Sequence, residues 1–324
     1  MTKRAGTEDA LEQVRELKSA GMSDAGLTAL KKFLQHRSNN VVAKACDLVS
    51  EWRAESLIPE VESAFHRLLK NPVKSDPGCS AKLSAVKCLA EFEHPYPDLF
   101  LEGAHHVQME PAWGPPVDTA AGLRGASGYG LAVIRYPDAY LEHAALIMDP
   151  EPETRRIAIE TLSSLASDQS ELLLRMKVLA TDPEPDILAS AFQALMTLSP
   201  QRSFDFVSAY VQDEDLPVAE GAALALGESK LPEAFERLRE VWDISISETH
   251  RQMLALPIAL LRSDEAFKLL LPQLESSRQQ TAVAVLMALA IYAGDESKAT
   301  AIAKAIETRG GRELSNIYEQ HFGE

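Results

Sequence analysis

Cysteine is nearly absent from this 324-residue chain: Cys46, Cys79 and Cys88 are all there is. An odd, sparse set excludes a disulfide framework, and Cys46 and Cys88 fall where small apolar packing residues are expected. Aromatic residues are few, at 6%. With alanine and leucine dominant, that suits close-packed helices better than a sandwich or barrel. The longest uncharged apolar stretch, about residues 281–293, falls short of the ~18 residues a membrane span needs. The opening Met1-Thr-Lys-Arg-Ala-Gly-Thr-Glu-Asp has no apolar core of a secretory signal. These absences lead to the expectation of a soluble, reducing, cytoplasmic protein without a membrane partner.

Positive charge is also in short supply. The net charge is −16, and its distribution is uneven. Residues 1–135 carry 16 basic and 17 acidic side chains, residues 136–243 carry 8 and 21, and residues 244–324 carry 8 and 10. An acidic middle repels phosphate backbones, so no nucleic-acid partner is expected. Motifs for chemistry are missing too. There is no Gly-x-Ser-x-Gly, no cysteine with a recognisable histidine partner and no Gly-x4-Gly-Lys loop, so neither nucleophilic catalysis nor phosphate binding is indicated. The glycines of residues 125–130 lack the strand and βαβ setting of a dinucleotide site.

What the chain does have is a nine-residue pattern: apolar, three of any type, small, three of any type, apolar. It recurs at Val41–Val49, Ala81–Leu89, Leu123–Leu131, Thr154–Leu162, Ile187–Leu195, Val218–Leu226, Thr249–Pro257 and Thr281–Leu289, with starts 40, 42, 31, 33, 31, 31 and 32 residues apart. A period in this range predicts a solenoid whose repeats share one core. The i, i+4, i+8 spacing puts the pattern on one face of a helix, called B, and the small fifth residue lets a neighbouring helix come close. Ahead of each B helix lies a second amphipathic stretch, A, such as residues 140–147, 172–179 and 204–211. Asp149-Pro-Glu-Pro152, Asp182-Pro-Glu-Pro185 and Asp213-Glu-Asp-Leu-Pro217 stand between A and B. Proline suits a first helical turn, and acidic residues suit the positive end of the helix.

The segments Leu123-Arg-Gly-Ala-Ser-Gly-Tyr-Gly-Leu131 and Thr154-Arg-Arg-Ile-Ala-Ile-Glu-Thr-Leu162 resemble the second helix of HEAT repeats of the short bacterial type. The resemblance covers roughly residues 24–294. It implies an all-α, right-handed α-α superhelix of about eight helix pairs, a single domain over residues 1–324. Capping helices are expected at about 8–19 and 298–322. HEAT helices often carry Arg at the second position of the pattern; here that position is Val42, Lys82, Arg124, Arg155, Leu188, Ala219, His250 and Ala282. A solenoid displays a surface and brings no built-in chemistry, so the expected function is a non-catalytic scaffold or adaptor that binds a protein partner on a concave face lined by B helices. Lys87, Tyr129, Arg156, Glu160, Gln193 and Arg251 are candidate exposed residues there.

The third repeat is anomalous. Between its A and B stretches lies an insertion at 107–117 with three prolines and no helical period. The following helix holds Gly122, Gly125, Gly128 and Gly130, each costing ~1 kcal/mol relative to alanine. That cost predicts the close approach of a ligand or of another backbone. Gln108, Glu110, Trp113, Asp118, Arg124 and Tyr129 are the candidate binding residues, and a pocket there would make a ligand binder or lyase-like enzyme. In the alternative the insertion is a structural plug: Trp113 at least half buried against those glycines, Asp118 capping the helix, and Glu110 close to Arg124. Glu102 and His106, spaced i, i+4, with His94, His105 and Glu110 nearby, fall short of a metal-binding motif; neither metal nor cofactor is expected. Among HEAT-like enzymes, deoxyhypusine hydroxylases use paired His-Glu dipeptides, which this sequence lacks. Alkylpurine DNA glycosylases need a basic face, and nothing here marks the tetrapyrrole site of a phycobilin lyase.

Overall fold

The computed structural model describes residues 2–322, and Met1, Gly323 and Glu324 lie outside it. The fold is all-α apart from one small hairpin. The helices are α1 (Thr2–Ala20), α2 (Asp24–Leu34), α3 (Asn39–Glu51), α4 (Ile58–Leu69), α5 (Pro72–Ser75), α6 (Ser80–Glu91), α7 (Pro97–Ala104), α8 (Ala121–Val133), α9 (Ala139–Leu146), α10 (Pro152–Leu165), α11 (Asp168–Leu179), α12 (Pro185–Leu198), α13 (Pro200–Ser208), α14 (Leu216–Ser229), α15 (Pro232–Ile244), α16 (Glu248–Leu260), α17 (Asp264–Leu270), α18 (Gln273–Ser276), α19 (Gln279–Leu289), α20 (Glu296–Arg309) and α21 (Arg312–Phe322). Strands β1 (Met109–Glu110) and β2 (Val117–Asp118) pair antiparallel between α7 and α8. The chain divides into two compact units, residues 1–165 and residues 166–324.

Each of the eight nine-residue patterns lies inside one helix: α3, α6, α8, α10, α12, α14, α16 and α19. Their fifth residues, Ala45, Ala85, Ser127, Ala158, Ala191, Ala222, Met253 and Val285, are all buried. Ser127, the fifth residue of the third pattern, faces Gly103 of α7, the A helix of its own repeat, whereas B helices approach one another at other positions, Gly125 against Ile157 and Gly221 against Ala189. In the first unit α3 packs on α6, α6 on α8 and α8 on α10; in the second, α12 packs on α14, α14 on α16 and α16 on α19. The proline starts act as expected: α10 and α12 begin at Pro152 and Pro185, and Pro217 is the second residue of α14. The acidic residue ahead of each start folds back on the chain. Asp149, Asp182 and Asp213 accept from the backbone N–H two residues on, at 2.9 Å in each case, an Asx turn that sets the helix entry.

Most of the B helices also share an ending. Arg53, Glu93, Arg135, Lys230 and Arg262 follow α3, α6, α8, α14 and α16 with φ between 51° and 56°, the left-handed cap usually given to glycine.

Helix α8 is buried on nearly all sides; from Ala121 to Gly128 every residue is inaccessible, and Tyr129 is its exposed exception. Its glycines make this possible. A methyl on Gly125 would lie 2.7 Å from Ile157, and methyls on Gly122, Gly128 and Gly130 would meet Glu153, Leu146 and Phe100. The expected approach of a ligand or another backbone is corrected: what comes close to these glycines is side chains from helices of the same unit. Trp113 is not among them.

Candidate functional site

The insertion is a β-hairpin standing on a buried polar base. Strand pairing joins Met109 to Asp118 and Glu110 to Val117. Beyond this two-rung ladder the tip runs Pro111-Ala-Trp-Gly-Pro-Pro116, where two adjacent prolines lack N–H groups and cannot extend the pairing. The tip is carried out of reach of the helices, and Pro111 through Val117 are all exposed. Trp113 is wholly exposed, at 110% of its reference accessibility. The expectation of a half-buried Trp113 plug is therefore corrected: the stiff Gly-Pro-Pro segment holds the indole outward.

The base is a network of satisfied groups. Gln108 Nε2 donates to the Asp76 carbonyl at 2.9 Å and to Glu110 Oε1 at 2.6 Å. Glu110 Oε1 also accepts from Gly78 N at 2.7 Å and Thr119 Oγ1 at 2.8 Å. Asp118 Oδ1 accepts from the Gln108 and Ala120 amides, and Asp118 Oδ2 from Arg124 Nη1 at 2.7 Å. Arg124 Nη1 reaches the His106 carbonyl as well, while its Nε and Nη2 grip Asp149. Burial opposes the charge on Glu110, but donors from Gln108, Thr119 and Gly78 outweigh it and hold the carboxyl below its ordinary value. The same contest holds Asp118 low, with the Gln108 and Ala120 amides and Arg124 prevailing over burial. Burial likewise works against the Arg124 charge, and Asp149 and Asp118 more than restore it.

Two expected contacts are replaced by others. Glu110 binds Gly78, Gln108 and Thr119 in place of Arg124, whose carboxylate partners are Asp118 and Asp149. Asp118 sets the turn before α8, and the N-cap position is Ala120. Of the six candidate binding residues, the structure joins Gln108, Glu110, Asp118 and Arg124 in this base. Trp113 stands at the tip. Tyr129, five residues past Arg124, is turned well around the helix from it and is exposed.

Sequence reasoning missed Asp76, Lys82 and Asp149. Asp76 is fully buried; it accepts from Asn39 Nδ2, the Ala81 and Lys82 amides and Lys82 Nζ. Arg155, the next cation in register, donates to the Asp149 and Pro150 carbonyls at 2.8 Å. The signal was the second position of the pattern, where Lys82, Arg124 and Arg155 follow one another. Each is buried and bonds to the turn ahead of its own helix, and Arg124 reaches on to Asp149 in the turn of the next repeat.

The Glu102–His106 pair does not share a helix face, because α7 ends at Ala104. Glu102 pairs with His66 at 3.5 Å, His106 with Gln108, and His105 with Glu142 at 2.7 Å. Among the described residues no group of three or more His, Cys, Asp or Glu is placed to hold a metal ion, and no helix is long and apolar enough to cross a membrane. Of the candidate B-helix residues, Lys87, Tyr129, Arg156, Glu160 and Gln193 are exposed, and Arg251 is half-buried.

Residues 172–246 match the family model of HEAT repeats, which bears out the resemblance read from the pattern. No curated protein matches the sequence significantly. Among solved structures, the complex of CpcE and CpcF of phycocyanin lyase from Nostoc sp. PCC7120 is similar at 13% identity, over 77% of this chain and 94% of that one, with a TM-score of 0.38. An engineered protein is similar at 16% identity, over 95% of this chain and 89% of that one, with a TM-score of 0.35.

Proposed function

We infer that this protein is a non-catalytic interaction scaffold, with the insertion hairpin and the exposed positions of the B helices as its contact surfaces. The observation that carries this reading is the pairing of a clamped base with a bare tip. Gln108 and Arg124 are buried and hold both feet of the hairpin, while Trp113, Met109, Val107 and Val117 remain exposed above them. A large aromatic standing in solvent contributes little to folding. It is the kind of anchor that dominates association energetics when a partner covers it. The reading of the insertion as a ligand pocket draws less support, because its polar residues are satisfied by one another.

Helical repeats suit this role because each adds a surface without needing a site of its own. The test is crosslinking and mass spectrometry on the protein isolated from its host, comparing wild type with Trp113→Ala and Tyr129→Ala. Loss of the same partner at an unchanged unfolding midpoint is expected. Partners retained in full by both variants would overturn the assignment of these surfaces.

A further inference from the structure

The second surface of note lies in the same unit as the hairpin. Helices α1 and α3 flank a groove of about 480 Å³, within the ~300–1,000 Å³ of sites that hold organic ligands. Leu11 and Val14 of α1, with Ala43 and Leu48 of α3, give it apolar walls. Arg15, Lys18 and Lys44 stand at its rim. Each rim cation is already paired: Arg15 with Glu12 at 3.0 Å, Lys18 with Glu51 at 2.6 Å and Lys44 with Asp47 at 2.9 Å. The rim is thus close to neutral and still offers cations that can sit over an aromatic face.

We propose that this groove receives the Trp113 hairpin of a second copy of the same chain. The proposal rests on the interaction-scaffold reading and names one occupant for the hairpin. Two features match. The tip from Pro111 to Val117 carries no charge, as a near-neutral apolar groove requires. The indole presents a π face to three rim cations.

Hairpin and groove are different patches, so the contact is heterologous: each added copy leaves one hairpin and one groove free, and assembly is open-ended unless a ring closes. A tip of seven residues is small for an interface, which makes the association concentration-dependent instead of obligate.

The experiment is sedimentation velocity on the full chain from about 1 to about 300 μM, a range that brackets weak association. Wild type should rise in mean sedimentation coefficient with concentration. Trp113→Ala, with an intact groove, and Leu11→Glu, with an intact hairpin, should each stay monomeric while unfolding as wild type does. Mixed in equal amounts, the two variants should recover association and stop at a heterodimer, since one good hairpin then meets one good groove. A wild type that is monomeric throughout overturns the self-contact and leaves the scaffold reading to its own partner test. Association undiminished in Trp113→Ala, or a mixture that stays monomeric while wild type associates, also overturns it.

Discussion

Arg124 holds Asp149 through two parallel hydrogen bonds, Nε to Oδ2 at 2.7 Å and Nη2 to Oδ1 at 2.8 Å. The residues belong to successive repeats, so this bidentate pair ties α8 to the turn that starts α10. The same guanidinium holds Asp118 at the foot of the hairpin. One side chain therefore couples the hairpin to two repeats.

Arg124→Met keeps the bulk and removes the charge. It leaves Asp118 and Asp149, both nearly buried, without their cation. Breaking a buried pair from one side costs roughly 3–5 kcal/mol, and urea denaturation should show a loss of that order. Amide exchange in residues 107–119 should accelerate more than in α12, which lies in the other unit.

Close helix approach makes two glycines differ in a measurable way. A methyl on Gly227 of α14 would strike the backbone carbonyl of Pro257 in α16, whereas a methyl on Gly128 would strike the end of the Leu146 side chain. Backbone cannot turn aside and a leucine terminus can. Gly227→Ala should destabilise by roughly 1–3 kcal/mol through overpacking, and Gly128→Ala by less. Equal losses on chemical denaturation would contradict this reading of the α14–α16 contact.

The left-handed caps predict a gain in stability. Glu93 is exposed with φ at 51° and ends α6. Its φ is a steric cost that glycine does not bear. Part of the relief is lost to the greater freedom of glycine in the unfolded chain. Glu93→Gly should still raise stability by about 0.5–1 kcal/mol, the left-handed penalty less the glycine entropy, read as a higher unfolding midpoint.

His143 should make the fold acid-sensitive. Its ring is fully buried beside Gly128, with Nδ1 2.7 Å from the Ala139 carbonyl. Burial lowers its pKa, against the Ala139 hydrogen bond and the Glu142 charge. His94 and His106 are lowered chiefly by burial as well. Above an ordinary histidine pKa of about 6.5 both folded and unfolded forms are neutral, and no penalty arises. As the pH falls below that value the unfolded chain takes up a proton that the folded one resists, so stability drops until the folded pKa is passed. Denaturation midpoints from pH 7.5 to 5 should fall in wild type and fall less steeply in His143→Gln. Identical slopes would remove His143 from this account.

The architecture was legible because its cause is local and repeated. A helical period with a small residue at its centre marks both the buried face and the place where helices touch. Ala45, Ala85, Ala158, Ala191 and Ala222 are buried where that pattern puts them. The hairpin was legible only as an interruption: Val107 to Val117 announced an ordered insertion, but two rungs of strand leave almost no alternation to read.

The sequence by itself determined the helix pairs, the proline-led helix starts and that Gly122, Gly125 and Gly128 mark a crowded helix. Each follows from backbone preference or spacing within a few residues. Only the tertiary structure decided what approaches them, that Trp113 points outward, and that Arg124 chooses Asp118 and Asp149 over Glu110. Those outcomes depend on groups far apart in the chain, such as Gln108 and Asp76, 32 residues from one another. Which of several carboxylates a buried cation meets is set by where the helices place them, and a linear pattern does not hold that information.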